Sequence, residues 1–232
     1  MDAHSIPHRI ERTRNKHSRA VFRGDTIVIR LAKNLTPHEE REHIESLSVR
    51  MRKLVEMERR KQCIDPFRPL LEGQQELTVR LGTGKRVCFQ LLPAPKTSAR
   101  RTQNGWTIGV SPQMRKAALH RLLWNIIATE EHASIDAMIH KINEDTLRVP
   151  LVTTTLRFAT SQWGSCSPKG IIMLNTALLF LPPSLLHYVI VHELAHRRIA
   201  GHSDAYWAIV KHAMPRYERA YEALRKYRLP KA

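Results

Sequence analysis

The stretch that decides the reading runs Leu181-Pro182-Pro183-Ser184-Leu185-Leu186-His187-Tyr188-Val189-Ile190-Val191-His192-Glu193-Leu194-Ala195-His196 and continues through Gly201 to His202. Two prolines can open a helix but cannot sit inside one, so the apolar run after them predicts a helix that carries His192-Glu193-Leu194-Ala195-His196, with Gly201 placed as its stop. Histidines four apart lie within about 40° of each other around a helix, so both imidazoles can reach one metal ion. Glu193 is rotated off that line, where it can hold a water without being a ligand itself. A zinc site that keeps one position open needs a third protein ligand, and His202 follows just past the glycine. Ser203 is placed to cap the next helix, with Tyr206, Trp207 and Val210 on its inner face. Neutral imidazoles suit zinc, so one Zn2+ ion held by His192, His196 and His202 is expected.

Working outward, the rest of the chain alternates between strand and helix signals. Ala20 to Phe22 and the alternation Ile27, Ile29, Leu31 flank Gly24-Asp25 and predict a β-hairpin. Thr36-Pro37-His38-Glu39 carries a helix cap, a first-turn proline and a reciprocal acid, so a helix is expected over 37–61. From Gln75 to Val110 the apolar residues fall at period two, with turns at Gly82-Thr83-Gly84 and Asn104-Gly105. A helical stripe follows from Ser111-Pro112, through Leu119, Leu122, Leu123, Ile126 and Ile127, continued by Ile135, Met138, Ile139 and Ile142. Residues 151–175 return to strand, with a turn expected at Trp163 to Gly170. The fold class is therefore α+β, with a hairpin, helix and strand region over 1–111 and a core bearing the histidines over 112–232.

Composition limits the function classes. The chain of 232 residues carries 38 Lys or Arg against 21 Asp or Glu, a net charge of +17. The excess is spread: 15 against 9 over 1–62, 12 against 8 over 63–149, and 11 against 4 over 150–232. Such a field attracts polyanions, so nucleic acid is a partner class that the charge permits. No apolar run reaches the roughly 20 residues of a membrane span, and the N-terminus lacks an apolar secretory segment. Three cysteines without a C-x-x-C pair argue against a disulfide framework, and a cytoplasmic location is expected. Cys166 sits in a turn with no second sign of a reactive thiolate. The sequence carries no signal of oligomeric state.

The residues Trp163-Gly164-Ser165-Cys166-Ser167, Leu174-Asn175, Leu181-Pro182-Pro183, Tyr188-Val189, His192 to His196, His202-Ser203 and Trp207 resemble the YgjP-like metallopeptidases, relatives of the SprT-like proteases in the zincin group. The match is densest from about 157 to 217. Metzincins share the histidine spacing but need a glycine where this chain has Ile199, and Met214-Pro215 lies too near His202 for their methionine turn. The resemblance implies a zincin-like core with an antiparallel sheet and an active-site helix. It implies zinc on His192, His196 and His202, Glu193 as base, and protein or peptide substrates. Substrate would add as a strand to a cleft lined near Trp163, a residue whose alternative role is packing. Asn175 is read as structural. SprT-like relatives act on DNA-attached proteins, so DNA-associated substrates are implied too, with Arg197 and Arg198 either bordering the cleft or forming a solvated helix face. Two rivals stand beside this reading. One is a nucleic-acid-binding protein with a structural zinc, which would need a fourth ligand such as Asp204 or His212; the other is a zinc nuclease.

Overall fold

The computed structural model describes residues 6–23 and 25–230, so Gly24 of the expected hairpin turn lies outside the described residues. Two compact units divide at the Gln62/Cys63 boundary. In the first, β1 (His8–Arg12), β2 (Arg19–Arg23) and β3 (Thr26–Leu31) form a sheet of order β1-β3-β2, followed by α1 (Pro37–Arg60). The β2-β3 hairpin is present, and β1 joins it in parallel, an addition that the exposed run HRIER did not signal. Ile27, Ile29 and Leu31 are fully buried against Ile44, Leu47 and Met51 of α1. The predicted capping box is formed: the Glu39 amide donates to Thr36 Oγ1, and the Thr36 amide donates to the Glu39 carboxylate at 2.7 Å.

The second unit opens with β4 (Gln62–Cys63) and α2 (Arg68–Leu71). A four-stranded sheet of order β5-β6-β8-β7 follows, made of β5 (Glu76–Arg80), β6 (Arg86–Pro93), β7 (Ser98–Thr102) and β8 (Gly105–Val110). Strand β7 was not legible, because SARRT is almost wholly exposed and carries no apolar alternation. The 30-residue helix α3 (Lys116–Asp145) starts five residues later than Ser111, after a turn, and then buries its predicted stripe except for Leu122 and Met138, which are half-buried against the same core. Then come β9 (Thr153–Arg157), β10 (Gly164–Cys166), β11 (Ile171–Asn175), a 3₁₀ turn over Thr176–Phe180, α4 (Pro183–Ala195), α5 (Asp204–Ala213), α6 (Tyr217–Leu224) and the short β12 (Tyr227–Arg228).

These elements share one core, in which Phe67, Phe89, Leu123, Trp124 and Ile139 are buried beside Leu178, Ile190 and Leu194. The strands of 76–110, grouped by sequence with the N-terminal region, thus pack in the same core as the histidine helix. The join is tight at Gly82. Its amide donates to Leu179 O at 2.7 Å, and a Cβ there would lie 1.9 Å from Leu181 O, so only glycine fits. Phe158 stacks on Trp124 at 4.5 Å and fixes the chain leaving β9.

Two expectations are corrected here. The sheets are mixed, not purely antiparallel, since β9 pairs in parallel with β11, and β6 with β8. The segment over Trp163 to Gly170 is not one turn: Gly164–Cys166 forms an edge strand antiparallel to β11, and the turn is confined to Ser167–Gly170. Small residues read as a turn because they also suit a strand that packs closely on a helix.

Candidate metal centre

Helix α4 ends earlier than its sequence suggested. Its last residue is Ala195, with His196 as the cap, and Gly201, at φ +88°, lies in the link to α5 rather than at the helix end. Local bonds explain the early stop. The amides of Arg197, Arg198 and Ile199 still donate to Leu194 O and Ala195 O, while His196 Nδ1 donates to Ile199 O at 3.2 Å. A carbonyl can only accept, so Nδ1 carries the hydrogen and Nε2 of His196 keeps a free lone pair. Ser203 caps α5 as predicted.

The link brings His202 back onto α4. Its Nε2 lies 3.2 Å from Nε2 of His192, and one nitrogen from each of His192, His196 and His202 falls within 4.8 Å of the others. Zn–N distances of about 2.0–2.1 Å in a tetrahedron place neighbouring nitrogens about 3.3–3.4 Å apart, so the closest pair fits such an ion. The donors have the right protonation too. Burial, reinforced by the neighbouring His196 and His202, pushes His192 down to about 4, and burial also lowers His196; both are neutral near pH 7. Neither Asp204 nor His212 belongs to the group, which has three members among the described residues.

Aromatic side chains hold the histidines in place. Fully buried Tyr206 stacks on His196 at 4.6 Å and donates its hydroxyl to His192 O at 3.0 Å. Trp207 stacks on His202 at 5.7 Å, and the Tyr188 hydroxyl lies 3.5 Å from His192 Nδ1. None of these four contacts follows from spacing alone, although spacing does place Tyr206 and Trp207 on the inner face of α5.

Glu193 is only 5% exposed, and its carboxylate lies against the backbone of β10: a Cβ on Gly164 would sit 2.6 Å from Oε1. Burial raises this carboxyl to about 8. The Trp163 side chain is partly buried against the main core, while its carbonyl accepts from the Asn175 amide at 2.8 Å. Asn175 ties the approach to β10 together as expected, its side-chain amide donating to Ala159 O and Gln162 O and its oxygen accepting from Ala177 N.

Arg197 and Arg198 are committed to the protein itself. Arg197 donates to Pro150 O at 3.1 Å and to Pro168 O at 2.8 Å, and Arg198 to Leu147 O at 2.6 Å. Burial raises the Cys166 thiol, which suits an inert packing residue.

Three histidines that converge on one point, beside a buried carboxylate, make an arrangement of the kind found in metal-dependent hydrolases. The chain belongs to the YgjP-like metallopeptidase family, whose domain model matches residues 12–227. Among solved structures it is similar to the metallopeptidase zymogen abylysin of Pyrococcus abyssi, at 23% identity over 39% of this chain and 90% of that one, with a TM-score of 0.36. No curated protein matches.

Proposed function

We propose that this chain is a zinc-dependent peptidase in which His192, His196 and His202 bind one Zn2+ ion and Glu193 is the general base. The observation that carries the reading is the convergence of three imidazoles, packed against Tyr206 and Trp207, next to a carboxylate almost closed off from solvent. When bound, zinc supplies a Lewis acid that polarises the scissile carbonyl and lowers the pKa of a water toward about 7. The Glu193 carboxylate accepts the proton of the attacking water and passes it to the leaving amine. Burial alone favours the protonated form, and the positive charge of a bound zinc would oppose this and favour the carboxylate that accepts the proton. Tyr206 and Trp207 orient the ligands, and Gly164 allows the carboxylate to sit against β10.

The catalytic core is proposed to be residues 112–232, with an extended protein or peptide substrate pairing along β10 near Trp163. The net charge of +17 supports substrates associated with nucleic acid. Free Cys63, Cys88 and Cys166 suit a reducing compartment, the cytoplasm. Among the described residues, no helix is long and apolar enough to cross a membrane.

The test is Glu193→Gln. Zinc content, measured by atomic absorption, should stay at one ion per chain while hydrolysis of a casein-type substrate falls by about two to four orders of magnitude. Equal hydrolysis by variant and wild type removes Glu193 from the mechanism. Parallel incubation with DNA, in which cleavage should not occur, separates a nuclease.

A further inference from the structure

The three-stranded sheet of the first unit has two unlike faces. Register places Ile10, Ile27 and Ile29 on the side facing α1, and Arg9, Glu11, Thr26, Val28, Arg30, Arg19, Val21 and Arg23 on the other. Four of these eight are arginines and one is an acid; Val28 at the centre is buried, and the arginines exposed around it are Arg9, Arg19 and Arg23. Glu11 pairs with both Arg9 and Arg30, yet Arg9 keeps 67% of its side chain exposed. Arg19 and Arg23 are exposed and take part in no ion pair among the described residues. Arg19 stands directly opposite Arg30, whose charge Glu11 already meets, so Arg19 itself has no counter-charge among the described residues.

We propose that this face binds the phosphate backbone of nucleic acid without reading its bases. Arginines about 13 Å apart along β2 and about 5 Å from the next strand suit a linear polyanion, and guanidinium forks match phosphate oxygens. The face carries no aromatic side chain on which a base could stack, since Phe22 points to the α1 side, so binding is independent of sequence. It also lacks an exposed apolar residue to enter a bilayer, which sets it apart from a lipid-binding surface. Helix α1 is a poorer surface, because its arginines and lysines alternate with acids, as in Arg60–Glu56, and Lys61 just past its end pairs with Glu58. The inference does not depend on the peptidase reading, since none of these residues belongs to the histidine group.

The experiment measures binding of fluorescein-labelled 20-mer DNA, duplex and single-stranded, to the full chain by anisotropy at 50–200 mM salt. Wild type should bind with a negative log–log salt slope and equal affinity for different sequences. R19A/R23A should weaken duplex binding by about tenfold or more and flatten the slope by about 1.8, two contacts at about 0.9 each. R19K/R23K should keep most of the slope, and R52A/K53A on α1 should bind as wild type. Thermal melts confirm that each variant is folded, and a short peptide substrate reports the histidine site separately. No binding by wild type, unchanged binding by R19A/R23A, or a loss confined to R52A/K53A overturns the proposal. So does a marked preference among base sequences. Capture by phosphatidylserine vesicles without oligonucleotide binding overturns it in favour of a membrane.

Discussion

In metal-free protein, Glu193→Gln should stabilise the fold at pH 8 and lose that advantage as the pH falls toward 5. The carboxyl is 5% exposed, and burial raises it from 4.5 to about 8. The sign follows from linkage. Folding favours the protonated carboxyl, so its contribution is fully present below about 4.5 and is lost as the pH rises to about 8. At about 1.36 kcal/mol per pH unit, holding the charged form costs at most about 5 kcal/mol, and relaxation around the site reduces this to about 2–3 kcal/mol. For a chain of this size each kcal/mol moves the melting temperature by about 2–4 °C, so a gain of about 4–12 °C is expected at pH 8. His192 works in the opposite sense: lowered to about 4, it stabilises above 6.5 and loses that contribution as the pH falls. Comparing variant with wild type at each pH cancels this second effect to first order. The assay is thermal unfolding followed by circular dichroism after exhaustive chelation, at pH 5, 6.5 and 8. An advantage that is absent at pH 8, or equal at pH 5 and pH 8, refutes the argument that burial of this carboxyl opposes its charge.

Three further outcomes are expected. Gly164→Ala drives a Cβ to 2.6 Å from Glu193 Oε1 and should lower kcat by about 10–100-fold at unchanged zinc content, read by peptide hydrolysis beside metal analysis. Asn175→Ala removes three hydrogen bonds from a fully buried position and should cost about 3 kcal/mol in urea unfolding, at about 1 kcal/mol each. His202→Ala should release zinc during dialysis against a chelator that leaves wild type loaded, and equal retention removes His202 from the ligand set.

The site was more legible than the sheets. His192 and His196 converge because helical spacing is rigid, and His202 joins them although the glycine read as the helix stop lies in the link to α5. The capping box of α1 was equally plain, since Thr36 and Glu39 act on neighbouring backbone. What escaped were edge strands: β1 and β7 present mostly exposed side chains, so neither carries the apolar alternation that marks a strand. Strand β10 was hidden for the opposite reason, because Gly164 is demanded by Glu193, a residue 29 positions away. The side-chain contacts of Arg197 and Arg198, by contrast, reach carbonyls at 147, 150 and 168, which no local pattern reveals.

Those carbonyls bear on how the protein can be altered. Arg197 lies under Gly170, whose hypothetical Cβ would come within 3.2–3.3 Å of the guanidinium, and it donates to two segments at once. A lysine there preserves the charge but has one compact ammonium in place of a planar fork, so it cannot reproduce both contacts. Position 197 is therefore one where conserving charge does not conserve structure, and recoding the surface to change its charge should leave this arginine alone.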